Sequence, residues 1–216
     1  MKTRIKDRLI LLSIHPEKGW VRSKNAIINI LLAAALIDLA LENLLTIESG
    51  KINIKPAELN DPLLDELIAK LSANQGKRLS WVLPKIAMYG NRYYRMQMTY
   101  LDNTHQISTE NVEWLGITCG KRYRVHRSDR LKPMITDFER VLVYGRQPSC
   151  ETLILINLLG SAELIKTFFA GKEIKSRVGK KYKELSGFLS AEEDESLAVI
   201  FKVLSDMLKQ SKAAKG

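Results

Sequence analysis

Cysteine is scarce in this 216-residue chain: Cys119 and Cys150 lie far apart, without a metal-type neighbour pattern. That argues against a disulfide framework and for a reducing compartment. The three histidines, His15, His105 and His126, fall in separate predicted elements, with no His-x-x-x-His or carboxylate-rich metal spacing. Neither a Gly-x-Ser-x-Gly elbow nor a phosphate loop ending in Gly-Lys-Ser or Gly-Lys-Thr is present. No catalytic residue, metal or cofactor is therefore assigned, although an active site assembled from distant residues would leave no such motif. Charges come too early and too often in Met1 to Arg8 for a signal peptide. The longest uninterrupted apolar run, Ile30 to Ile37, is bounded by Asn29 and Asp38. It falls short of the ~18–20 residues that span a bilayer, so a buried central helix is expected there. Neither an internal repeat nor a long linker is visible. One domain over residues 1–216 is expected, with 210–216 as a flexible tail.

Positive charge is what the chain has in excess: the formal net charge is +10 and the pI about 9.6. Such a balance favours an anionic partner, whether nucleic acid, an acidic protein or an anionic membrane surface.

The pattern predicts a mostly α fold: one helical domain around the buried central helix, with two β-hairpins, one of them prominent. A short first helix ends near His15-Pro16. The loop from Glu17 to Arg22 leads to Ser23, which is placed to cap a central helix running to about Asn43. Leu45 to Glu48 and Lys51 to Lys55 alternate around Ser49-Gly50 as a hairpin. Asp61 and Pro62 punctuate the next helix as N-cap and first residue, and Asp65 and Glu66 favour its positive end. Helix capping thus accounts for these three carboxylates without chemistry. A helix from about Arg78 is expected to bend or end near Pro84. Val112 to Thr118 and Lys121 to His126 flank Cys119-Gly120 as a second hairpin. Helical segments follow at about 133–144, 149–159, 162–169, 173–188 and 194–210.

Two basic features are candidate binding elements. Arg92 and Arg95 lie three apart on a predicted helix and so share a face. Two guanidiniums there suit a phosphate, since each donates paired hydrogen bonds to its oxygens; a solvated arginine-rich face or internal salt bridges give the same pattern. The second hairpin joins an apolar strand carrying Trp114, Leu115 and Ile117 to a basic one carrying Lys121, Arg122 and Arg124. An apolar tip with a basic surround suits a membrane interface, a wing on DNA phosphate, or a hairpin folded back onto the core.

The run from Ala34 to Glu42, then Leu45-Thr46-Ile47, then Asp61 to Leu67 resembles the Golgi phosphoprotein 3 family in wording and order. Asn60 and Leu67 stand where that family's pattern has glycine and alanine. The resemblance implies a non-enzymatic, mostly helical protein with a prominent hairpin, peripheral on the cytosolic face of a membrane, the Golgi in a eukaryotic cell. It implies binding to phosphatidylinositol 4-phosphate and an adaptor role for cytosolic tails of membrane proteins, with self-assembly through the hairpin. The long basic N-terminal extension of eukaryotic members has no counterpart here, which suggests a compact, bacterial-type relative. Arg92 and Arg95 match the family's basic pair in spacing, one residue off a gap-free alignment. The family's tryptophan and arginine positions fall on Ser23 and Leu32, so Trp20 and Arg22 are the candidates to replace them. The expected headgroup site is thus Arg92, Arg95, Trp20 and Arg22, and the rival reading is a nucleic-acid-binding domain with the hairpin as a wing.

Overall fold

The computed structural model describes residues 3–115, 117–126, 129, 131–186 and 195–213, with the side chains of Trp114 and 210–213 also outside the description. Its helices are α1 Ile5–Ser13, α2 Lys24–Leu41, α3 Pro62–Ser72, α4 Leu79–Ala87, α5 Gly90–Asn103, α6 Leu131–Leu142, α7 Cys150–Ser161, α8 Lys172–Leu185 and α9 Glu195–Ala213. The strands are β1 Leu45–Glu48, β2 Lys51–Ile54, β3 Ile107–Trp114 and β4 Ile117–Val125, forming two separate antiparallel hairpins. The fold is mostly α, as the sequence predicts.

Helix α2 is the axis. Helices α1, α3, α5, α7 and α9 and strand β1 all pack on it. From Ile30 to Ala40 every residue is buried, Asp38 included. Its 18 residues are long and apolar enough to cross a membrane by length and composition, yet 67% of that window lies inside the protein. Enclosure therefore identifies it as a core helix, in line with the short apolar run in the sequence.

The first hairpin turns at Ser49-Gly50, both with positive φ, as a two-residue turn matching strand twist requires. Leu45, Ile47, Ile52 and Ile54 form its buried face. Helix α3 starts as its punctuation foretells: the Asp61 side chain accepts from the Leu64 N–H, and Pro62 is the first helical residue. Asp65 reinforces the start by accepting from the N–H groups of Leu59 and Asp61.

Four local expectations need correction. Ser23 precedes α2 but makes no side-chain cap, because it sits in the left-handed region at φ 46°. Helix α4 continues three residues past Pro84; the missing N–H there forfeits only the bond to Ser80, which is exposed to water. Residues 162–169 hold a turn and a short 3-10 helix, Ile165–Phe168, after Glu163 reverses the chain at positive φ. The second hairpin does not turn at Cys119-Gly120. Trp114 pairs with Ile117, Gly120 pairs with Val112 inside the ladder, and a register shift leaves Cys119 unpaired as a bulge. Ile107, at the base, is buried, whereas Leu115 and Ile117 at the tip are 80% and 66% exposed. The hairpin's apolar end thus projects from the body rather than folding onto it. Helix α9 extends to Ala213, into the expected tail, and 214–216 lie outside the described residues.

Candidate functional site

Along α5, Asn91, Tyr94, Arg95, Met98, Thr99 and Asp102 recur at helical spacing, so they share one face. That face forms the wall of an open cleft of about 720 Å³. Opposite stand Trp20 from the loop before α2, Lys24 from its first turn, and Thr109, Lys121 and Tyr123 from the second hairpin. Three cations, Lys24, Arg95 and Lys121, thus meet a single lining carboxylate, Asp102, among the described residues.

The loop before α2 holds Trp20 in place. His15 stacks on its ring at 5.6 Å and 29°, and the His15 N–H donates to the Trp20 carbonyl. Gly19 docks this loop on β4, its carbonyl accepting from the Tyr123 N–H at 2.7 Å. Gly19 takes φ +70°, and a Cβ there would lie 2.9 Å from the Tyr123 carbonyl oxygen, so only glycine fits. Gly19→Ala is therefore expected to lose about 1–3 kcal/mol from strain and contact together. Chemical denaturation would measure the loss; a stability equal to wild type would show that the loop is not seated on the hairpin.

The cleft floor is phenolic. Lys24 Nζ stands over the Tyr94 ring at 5.3 Å. The Tyr94 hydroxyl is buried, and the Tyr123 phenol beside it affects its ionisation. Burial raises the pKa of both phenols, Tyr123 acting further on Tyr94. They therefore stay protonated and remain donors near neutral pH. Arg95 is exposed and forms no ion pair among the described residues.

The structure separates the other expected residues. Arg92 shares a shallow surface groove with Arg95, but not the cleft. Its Nη2 donates to Glu66 Oε2 at 2.7 Å, in a pair whose arginine is 57% exposed. Arg22 does not accompany Trp20: it is half-buried, donates to Thr167 Oγ1 at 3.1 Å and lies over the Phe168 ring. Burial lowers its pKa. Leu32 is buried in the core and cannot meet a ligand, whereas Ser23 is exposed beside Lys24. On the hairpin, Lys121 lines the cleft and Arg122 lines an adjoining hollow with Lys18 and Trp20. Arg124 is exposed, 3.8 Å from Glu110. The Trp114 side chain lies outside the described residues. Lys24, Tyr94 and Tyr123 were not among the expected site residues. For Lys24, its place at the mouth of the central helix was the available signal.

No group of three or more His, Cys, Asp or Glu among the described residues is placed to hold a metal ion. A comparison with curated proteins finds none that matches. The family model described as Golgi phosphoprotein 3 (GPP34) matches residues 5–202. With nearly the whole helical body and its hairpins inside that match, the chain belongs to the Golgi phosphoprotein 3 family.

Proposed function

We propose that this protein is a peripheral membrane protein that binds the phosphorylated headgroup of an anionic phospholipid, phosphatidylinositol 4-phosphate by family, in the cleft between α5 and the second hairpin. One observation carries the reading: Lys24, Arg95 and Lys121 converge on an open cleft floored by the phenols Tyr94 and Tyr123. Cations supply charge-assisted hydrogen bonds to phosphate oxygens, and neutral hydroxyls suit the polyol that carries them. Arg95 is the central residue, and Trp20 forms the rim. Arg92 contributes field rather than contact, since Glu66 already holds it. The protein then sits on the cytosolic face of a membrane, the Golgi in a eukaryotic cell. There it acts as a non-enzymatic adaptor for cytosolic tails of membrane proteins, with the hairpin available for self-assembly.

Liposome flotation tests the assignment. Wild type is expected to float with vesicles containing phosphatidylinositol 4-phosphate, and less so as salt screens the cleft. Lys24→Ala/Arg95→Ala should reduce binding by about a hundredfold, two charge-assisted contacts of ~1.5 kcal/mol each being lost. Arg92→Ala should cost little, because an exposed pair contributes at most about 1 kcal/mol. Equal flotation of wild type and the double variant would reject the cleft. Duplex DNA in a gel shift is the competing arm: tight binding with a steep salt slope, without flotation, would move the function to nucleic acid.

A further inference from the structure

Between Glu66 and Asp102 the chain contains no acidic residue, but it carries Lys70, Lys77, Arg78, Lys85, Arg92 and Arg95. Helix α4 lies inside this stretch and is amphipathic in an unusual sense. Leu79, Val82, Leu83 and Ile86 are buried on the core, while the outward face carries the large apolar side chains Trp81 and Met88 beside Lys85. Trp81, Lys85 and Met88 recur at i, i+4 and i+7, so they form one ridge. Trp81 is 72% exposed and Met88 84%, with Tyr89 next to it at 49%. Such large side chains left in water call for a partner when they cluster.

We infer that this ridge is a bilayer contact, in which Trp81, Met88 and Tyr89 enter the interfacial zone of an anionic phospholipid membrane while Lys85 pairs with its phosphates. Three observations select a membrane. The ridge combines aromatic rings with a lysine, the composition that favours the headgroup boundary. Lys70 Nζ lies over the Tyr89 ring at 4.7 Å, so cationic charge borders the apolar surface. The ridge also runs into the cleft. Tyr89 leads to Gly90, which packs against Ile28 of α2 where a Cβ would lie 2.9 Å from its Cγ2, and the next residue, Asn91, lines the cleft. A ridge dipped into lipid would bring the neighbouring cleft to the level of the headgroups. The inference rests on the lipid reading above, but it makes its own claim about how the protein is seated.

Three measurements separate the two. The first is sedimentation with vesicles of phosphatidylcholine, with and without phosphatidylserine. Trp81→Ala/Met88→Ala should lower the partition coefficient into the anionic vesicles at least about tenfold, through lost apolar transfer. Both positions are exposed, so thermal melting should be unchanged. The second is titration with water-soluble, short-chain phosphatidylinositol 4-phosphate, which should be the same for this variant as for wild type, whereas Lys24→Ala/Arg95→Ala should lose it. The third is quenching by brominated acyl chains, which should be greater in wild type than in Trp81→Phe, isolating the Trp81 contribution. Vesicle binding undiminished by Trp81→Ala/Met88→Ala, or no Trp81-dependent quenching, would overturn the ridge and leave the cleft standing. A dimer that the variant converts to monomer, with vesicle binding intact, would reassign the ridge to self-association. Absence of any vesicle binding by wild type would overturn the ridge outright, and the soluble titration would then decide on the cleft alone.

Discussion

Lys6→Met is expected to destabilise the protein by about 3–5 kcal/mol, the cost of leaving buried charge without its partner. Lys6 is completely buried. Its Nζ reaches Asp7 Oδ1 at 2.8 Å, Asp61 Oδ2 at 2.7 Å and Gln97 Oε1 at 2.8 Å. It also lies 4.6 Å from the centre of the Tyr100 ring. Gln97 returns a hydrogen bond to Asp7, and Arg4 reaches Asp61 from the surface at 3.2 Å. One ammonium thus holds the first turn of α1, the cap of α3 and the middle of α5 together. Methionine keeps most of the volume, so the loss would report charge rather than a cavity. Urea denaturation would measure the loss. A variant as stable as wild type at neutral pH would show that the network contributes nothing.

Asp38 supplies the second large effect. Its two carboxylate oxygens accept from the N–H groups of Ile5 and Lys6 at 2.7 and 3.0 Å, capping α1 from within α2. Burial pushes its pKa up from 3.8 to about 7, outweighing those two hydrogen bonds and the Lys6 charge, which lower it; Asp7 adds to the rise. The folded state therefore holds this proton more tightly than the unfolded chain. Its contribution to stability is complete below about pH 4 and is lost as pH rises towards 7. The full swing is on the order of a few kcal/mol, at ~1.4 per pKa unit. Asp38→Asn should remove this slope, and it should cost about 1–3 kcal/mol because its amide group turns a donor towards one α1 N–H. Melting curves for the two proteins at pH 4 to 7 test this. If they stay parallel, the Asp38 proton plays no part.

Most of the helical framework was legible because its signals are local. Asp61-Pro62 marks the start of α3 by capping chemistry that involves only the neighbouring turn. Ser49-Gly50 marks a turn because both residues tolerate positive φ. The signals failed where a distant contact intervened. Gly120 reads as a turn residue, but ladder pairing with Val112 absorbs it, and the chain reverses at Leu115 instead. Ser23 reads as a cap, but its backbone turns left-handed where the loop docks. The polar network around Lys6 was invisible, since a basic residue near the start of a chain looks like a surface residue until other elements close over it.

The candidate site divides in the same way. Net charge pointed to an anionic partner, and the spacing of Arg92 and Arg95 placed both on one helix face, because each property depends only on composition or on 3.6-residue periodicity. Which of the two reaches the cleft depended on Glu66 of α3 taking hold of Arg92. That Arg22 turns to Thr167 while Lys24 turns to Tyr94 depended on the packing of elements seventy or more residues away. The sequence by itself determined the helices, the charge and the family. Tertiary packing alone decided which cations share a cavity, because side-chain direction is settled by contacts between segments that no local rule connects.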